Sequence, residues 1–346
     1  MRIECPSCHK AYDIPDERVP RGKRLKFPCP ACKSIVKVVL PSNQGGSQSN
    51  PASVSATGSG KEIPHSAALK REILDSVSDL PPMSQAMHKA RTVLADPNSS
   101  FKDLAIVFVT DQAIAARVLK LANSAYYGLS NQVSSIQHAA VVLGYRTLGE
   151  LVTLASTSEL MGKALKGYGL ESGELWQHSL AVAFGSKFIA GKKTPALVDD
   201  AFASGLIHDA GKLVLDKYIA ERQQAFQACV SEGQGGLVSA EKEVLGVDHA
   251  EIASEICKGW NVPQEMTTGI RYHHDPARSE GSELANILHV ADGIAMMCGL
   301  GGGTDALTHG MDENAIRLLG LEGHDLEKVM NQVVASVNKT MEEFQE

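Results

Sequence analysis

The sequence predicts a mainly α-helical protein with a small β-rich head at its N-terminus. Aromatic residues make up only 5% of the 346 residues, and Ala, Leu, Val and Ile supply most of the apolar content. Ala and Leu favour helices, and after residue 66 we find no extended alternation of apolar and polar residues of the kind that marks strands. The head is set apart by paired cysteines followed by SIVKVVL, a short run rich in β-formers.

The head contains two Cys-x-x-Cys motifs separated by twenty residues. Each motif can direct two thiolates at one tetrahedral Zn²⁺, and four Cys leave no open coordination position. The sequence therefore predicts a zinc ribbon over residues 1–40 with a structural zinc held by Cys5, Cys8, Cys29 and Cys32. A redox dithiol would need only one pair, in a βαβ context that is absent here. The stretch resembles the small zinc ribbons at the N-termini of bacterial regulatory proteins.

Charge is unevenly distributed between the head and the rest of the chain. Residues 1–40 hold nine Lys or Arg and four acidic residues, so the head carries +5 and the remainder −12 of a net charge of −7. This favours an anionic partner for the head, although a solvated basic surface is the alternative. Only Tyr12 and Phe27 could stack on bases. A nucleic-acid-binding adaptor that acts through the ribbon is therefore one alternative function.

Residues 41–62 separate the head from the helical body. They contain almost no large apolar side chain, which predicts a flexible linker. The helical domain is expected over 63–346, with a core over about 66–275 and further helices after it. No apolar run has the length of a membrane helix, and the N-terminus lacks the apolar stretch of a signal peptide. We therefore expect a cytoplasmic protein with no membrane partner.

Helical periodicity is clearest in AIAARVLKLA, where Ile114, Val118, Leu119 and Leu121 fall near one face. The next apolar segment, SSIQHAAVVLGYRTLGELVTLAS, continues similarly. Its Gly144 and Gly149 indicate breaks or points of close packing.

Three segments together resemble an HDOD domain: LPPMSQAMHKARTVLADPNSS, VTDQAIAARVLKLANSAYYGLSNQVSSIQHAAVVLG and GLIHDAGKL. The most specific parts are Asn123-Ser124-Ala125 and the run from Ile136 to Gly144. One departure is Asp111-Gln112, where the family often has Asp-Pro. The resemblance covers about residues 66–275. It implies an all-helical domain related to the HD-type metal-dependent phosphohydrolases, usually a signalling module and often without catalytic residues.

The resemblance also implies a metal site, because HD proteins order their ligands as His, His-Asp and a distant Asp. Imidazole and carboxylate ligands suit Fe, Mn or another divalent metal. HD-GYP phosphodiesterases add further ligands. His249 taken alone is more typical of an ordinary helix residue, and the His273-His274 pair also occurs in HDOD domains as part of the family fold, so it does not by itself indicate a metal. Glu174 and His178, four residues apart, would share one helix face. The candidate HD ligands are His178, His208, Asp209 and Asp292, with Glu174, His249, His273 and His274 as additional candidates.

The Gly-Tyr-Pro loop that names the HD-GYP family is absent after His274. Substrate positioning supplies much of an enzyme's rate, so its absence argues against cyclic-dinucleotide hydrolysis. The favoured prediction is a bacterial signal-transduction protein, not an enzyme, that binds another signalling protein or a nucleotide. The alternative is a metal-dependent phosphohydrolase acting on a nucleotide or cyclic dinucleotide, with Lys212 stabilising the phosphate. The oligomeric state is left open.

Overall fold

The structure is a computed structural model that divides into two compact units, Met1–Glu62 and Ile63–Glu346. In the first unit it describes only the backbone of four strands. In the second unit it describes most of the chain. The described ranges are 2–4, 11–13, 24–28, 35–39, 66–79, 112–124, 132–232, 236–300 and 310–345, with residues 89, 93, 99, 103 and 127. The four ribbon cysteines and the predicted linker, 41–62, lie outside the described residues.

The first unit contains two antiparallel sheets of two strands each. Strand β1 (Arg2–Glu4) pairs with β2 (Ala11–Asp13), and β3 (Arg24–Pro28) pairs with β4 (Ile35–Val39). In the sequence, each Cys-x-x-Cys motif lies between the two strands of one sheet. The predicted β-rich run after the second motif forms β4, so the prediction of a small β head is confirmed.

The second unit is helical throughout its described part, apart from turns and one isolated bridge between Leu165 and Leu170. This confirms the predicted all-helical body. No helix among the residues described is long and apolar enough to cross a membrane. The helices are α1 (Ser66–Ser76), α2 (Gln112–Ala122), α3 (Ile136–Met161), α4 (Glu174–Lys193), α5 (Val198–Ile207), α6 (Gly211–Glu221), α7 (Gln223–Glu232), α8 (Gly236–Leu245), α9 (His249–Gly259), α10 (Gln264–Arg271), α11 (Glu283–Met297), α12 (Glu313–Leu318) and α13 (Gly323–Gln345), with short 3₁₀ turns at Val77–Asp79, Pro195–Leu197 and Pro276–Arg278.

Helix α4 lies at the centre of this unit, where it packs against α5, α11 and α13. Most of its residues are buried, including Leu180, Phe184 and Ile189. A helix that is apolar on nearly all sides belongs in the interior. Its position carries His178 into the middle of the molecule.

Two sequence predictions about helices α2 and α3 can be checked directly. Helix α2 buries Ile114, Val118 and Leu121, while Leu119 is half-buried, so the predicted apolar face is confirmed. Helix α3 is kinked at Gly144, whose φ of 79° is a conformation that glycine adopts without a steric penalty. Gly149 stays helical, and its carbonyl accepts a hydrogen bond from Thr153 Oγ1.

Candidate metal centre

The segment GLIHDAGKL joins α5 to α6 and carries His208 and Asp209 at the junction. A Cβ atom on Gly205 would lie 2.6 Å from the Cα of Ala183 in α4, and one on Gly211 would lie 2.0 Å from the carbonyl oxygen of His249 in α9. Real Cβ atoms do not approach so closely. The two glycines therefore allow main chain to contact main chain, which brings His208 and Asp209 against the helices that carry other candidate ligands.

Six of the eight candidate HD-site ligands form two adjoining groups, in each of which the potential ligand atoms lie within 4.8 Å of one another. Asp209 belongs to both groups. All six side chains are buried except His274, which is half-buried. The first group is His178, His208 and Asp209, and the second group is Asp209, His249, His273 and His274.

Asp209 lies between the two groups. Its Oδ2 atom is 3.5 Å from Nε2 of both His178 and His208, and its Oδ1 atom is 3.2 Å from Nε2 of His249. One carboxylate can therefore face two ligand sets at once.

Asp292, a candidate ligand outside both groups, flanks them. Its Oδ1 atom is 3.2 Å from Nε2 of His178, and its Oδ2 atom is 3.9 Å from Nδ1 of His274. The structure thus brings together His178, His208, Asp209 and Asp292, the four side chains in the order that HD proteins require.

Three histidines of the centre are held from behind by backbone carbonyls. Nδ1 of His178 lies 3.0 Å from the oxygen of Leu300, Nδ1 of His208 lies 2.8 Å from that of Gly205, and Nδ1 of His273 lies 2.6 Å from that of Ile270. A carbonyl only accepts, so each Nδ1 carries the proton, and in the neutral ring Nε2 is left as a lone-pair donor. Metal-ligating histidines are oriented in this way.

His249 is held by a carboxylate instead. Both oxygens of Glu241 lie within 2.9 Å of its Nδ1, and Glu241 also accepts a hydrogen bond from the backbone amide of His249 at 2.9 Å. The hydroxyl of Tyr168 donates to Glu241 at 2.7 Å. Sequence reasoning missed Glu241 and Tyr168. One signal in the sequence could have found Glu241: it is an acidic residue on the face of α8 that also carries the apolar Leu237 and Leu245.

Two buried atoms of the centre make no hydrogen bond: Oδ1 of Asp209, despite His249 Nε2 at 3.2 Å, and Nε2 of His273. An unsatisfied buried polar atom costs about 1–3 kcal/mol, so such atoms are rare in native proteins. Both atoms belong to the second group of potential ligands. A divalent cation would satisfy both, and the donor set therefore fits a metal ion.

In the first group, Asp209 and His208 are in the charge states that suit a cation, whereas metal binding at His178 would compete with a proton. Burial alone would raise the pKa of Asp209, but His208, Lys212 and His249 outweigh burial and hold that pKa well below its usual range. Burial lowers the pKa of His208. Burial also opposes protonation of His178, yet its hydrogen bond and attraction to Asp292 leave its pKa raised.

In the second group, His273 and His249 differ in protonation state. Burial, with His208 and His249 nearby, lowers the pKa of His273 to about 3, so this ring is neutral. Burial also disfavours the charged form of His249, but Glu241 and Asp209 raise its pKa to about 9. A metal ligand must be deprotonated, so metal binding at His249 would release a proton.

Three further polar side chains around the centre have other roles. Lys212 is buried with its Nζ 2.8 Å from Oδ2 of Asp209, so it donates to a candidate ligand. Glu174 belongs to neither group, and its carboxylate accepts a hydrogen bond from the amide of Glu171 at 2.8 Å. His289, a residue that the sequence did not single out, uses Nδ1 on the carbonyl of His273 and accepts from the amide of Asp312 at Nε2. We therefore assign His289 a structural role.

The helical fold is that of an HD-like domain. Residues 80–276, more than half of the chain, match the HDOD domain, and the chain belongs to the HDOD family. Residues 1–36 match a zinc-ribbon domain. Zinc binding by Cys5, Cys8, Cys29 and Cys32 stays a prediction.

Solved structures share this fold. A protein of Shewanella amazonensis SB2B, whose name proposes a phosphohydrolase, is 27% identical with a TM-score of 0.62, covering 80% of this chain and 98% of that chain. An HDOD domain protein with unknown function from Geobacter sulfurreducens is 26% identical with a TM-score of 0.60, covering 80% of this chain and 92% of that chain.

A sequence relative, an uncharacterized protein of Treponema pallidum (strain Nichols), is 25% identical over 209 residues, 60% of this chain. The match spans about 40% of that relative's length.

Proposed function

We propose that this chain is a regulatory HDOD protein whose helical unit binds one or two divalent metal ions in the cluster around Asp209. The observation that carries the proposal is the set of three buried histidines whose Nδ1 atoms face backbone carbonyls while Nε2 faces the cluster. His178, His208, Asp209 and Asp292 would hold the first ion. His249, His273 and His274 would hold the second with Asp209 shared. Imidazole and carboxylate ligands suit Fe, Mn or Zn.

When bound, such an ion supplies positive charge and Lewis acidity at a site that the protein otherwise shields from water. The chain's own residues orient the ligands: backbone carbonyls and Glu241 fix the rings, and Lys212 neutralises part of the charge of Asp209. In a regulatory protein the ion would order the junction between α5 and α6. The output would come from binding a signalling protein or a nucleotide.

The metal content of the full chain, measured by elemental analysis, tests this proposal. We expect a variant with Cys5, Cys8, Cys29 and Cys32 all changed to Ser to lose one zinc and to keep one or two other ions. The His208→Ala/Asp209→Ala variant should keep only the ribbon zinc. The matched control is His138→Ala/Asp199→Ala, which changes an exposed His and an exposed Asp outside the cluster. A four-cysteine variant that retains helical circular dichroism but contains no metal would contradict the proposal.

A phosphohydrolase is the second candidate function. The observation in its favour is that His274, the most exposed member of the cluster, lines an open pocket. In this role Lys212 would stabilise a phosphate oxygen. Turnover of bis(p-nitrophenyl) phosphate by the metal-loaded chain would favour the enzyme, while retained metal without turnover would favour the regulatory protein. A third function, nucleic-acid binding through the ribbon, rests on residues outside the described part of the chain.

A further inference from the structure

A pocket of about 340 Å³ opens beside the metal centre. Its walls come from α8, the first turn of α9, the end of α10 and the turn Pro276–Arg278. His274 lines the pocket with 11% of its side chain exposed, whereas no other side chain of the cluster exceeds 6%. Within the described part of the molecule, His274 is therefore where a small molecule reaches the centre.

The charged side chains that line the pocket favour an anion. Lys242 and Arg271 share the carboxylate of Asp248, at 3.0 Å and 3.4 Å, and Arg271 also pairs with Glu251 at 3.3 Å. Arg278 is exposed and forms no ion pair with any residue that the structure describes. Asp275 is the other acidic residue in the lining, so cations outnumber anions before any metal is bound. A divalent ion behind His274 would strengthen this positive field.

The same pocket contains an aromatic ring. Tyr272 is half-buried, and the guanidinium of Arg271 lies 5.5 Å from its ring centroid. An aromatic ring with a neighbouring Arg is a platform on which a planar base can stack. The volume lies at the low end of small-molecule pockets, which span about 300–1,000 Å³. It suits one nucleotide better than two.

We infer that this pocket binds a mononucleotide, with its phosphate between Arg278 and the candidate metal centre and its base against Tyr272. The inference rests on the proposed function in one respect, because a metal ion at the cluster would help to hold the phosphate. It names the ligand class that the proposed function leaves open.

Calorimetric titration of GMP, AMP and inorganic phosphate into the full chain, metal-loaded and chelator-treated, tests the inference. Arg278→Gln should weaken nucleotide binding about tenfold, because it removes a charge-assisted contact to phosphate. Arg222→Gln makes the same charge change outside the pocket and should leave the affinity unchanged. Tyr272→Leu should bring the affinity for GMP close to that for inorganic phosphate, since only the nucleotide uses the ring.

The outcomes separate this inference from the proposed function. A chain that holds metal at the cluster but shows no nucleotide binding at millimolar concentration would overturn the inference alone, as would binding that Arg278→Gln does not change. A chain without metal at the cluster would overturn the proposed function. The pocket assignment would then stand only if the metal-free chain bound GMP and Arg278→Gln weakened that binding.

Discussion

The two groups of the candidate metal centre share Asp209 but hold their histidines by different means. In the first group, His178 and His208 donate to backbone carbonyls, which set the tautomer and add no charge. In the second group, His249 donates to the buried carboxylate of Glu241, which also draws a proton onto the ring. A backbone carbonyl therefore orients a histidine with little change in the charge of its ring. A carboxylate favours the protonated ring, so that metal binding must compete with a proton.

Loss of the shared carboxylate should have the largest effect on both groups. We expect Asp209→Asn to remove all metal beyond the ribbon zinc. It should also destabilise the chain by about 3–5 kcal/mol, because Lys212 would lose its buried partner. Elemental analysis and urea unfolding measure the two effects.

A second variant separates metal loss from misfolding. Asp209→Asn/Lys212→Met removes both charges and should recover stability while the metal stays absent. Asp199→Asn, an exposed change, should alter neither property. If Asp209→Asn kept all of its metal, the assignment of Asp209 as a ligand shared by both groups would be wrong.

The pH dependence of the metal-free chain should expose the charge difference between the groups. Burial opposes protonation of His249, but Glu241 and Asp209 raise its pKa from 6.5 to about 9. Because the folded pKa is raised, this stabilisation is complete below about pH 6.5 and is lost as the pH rises to about 9. It amounts to on the order of 3 kcal/mol. The raised pKa of His178 acts in the same direction.

Urea unfolding with chelator at pH 6.5 and pH 9, followed by circular dichroism at 222 nm, measures this loss. His249→Gln should remove most of the difference between the two pH values. An unchanged pH dependence in that variant would show that other groups cause it.

We expect the smallest effect on metal binding from Glu241→Gln, which tests the carboxylate that distinguishes the second group from the first. It keeps the shape of the side chain but removes the charge behind His249, and loss of such an orienting carboxylate typically weakens metal binding about 10–100-fold. We expect the loss in the second group only, as measured by competition with a metal-binding dye. Glu243→Gln, an exposed change on the same helix, is the control. Equal affinities in the two variants would mean that Glu241 does not support the metal site.

Local sequence patterns predicted the helical body and a break or close-packing point at Gly144, while the resemblance to HD proteins implied the residues that meet around Asp209. Sequence alone carries less information where tertiary structure decides the outcome. Glu174 has the right spacing from His178, but it is the first residue of α4, and its carboxylate accepts from the amide of Glu171 in the preceding turn. Glu241 is far from the recognised motifs in the sequence, and only the packing of α8 against the centre shows why an acidic residue is buried there.

The glycines of GLIHDAGKL also bear on which ions the centre can accept. Because Gly205 and Gly211 place main chain against main chain, α5 and α6 cannot move closer to their neighbours. A smaller ion would therefore have to be met by movement of side chains and not by a closer approach of whole helices. If the cluster binds a cation, selection by radius would then depend on the carboxylates of Asp209 and Asp292, of which Asp209 is held by Lys212 at 2.8 Å, because backbone carbonyls hold three of the histidine rings in place.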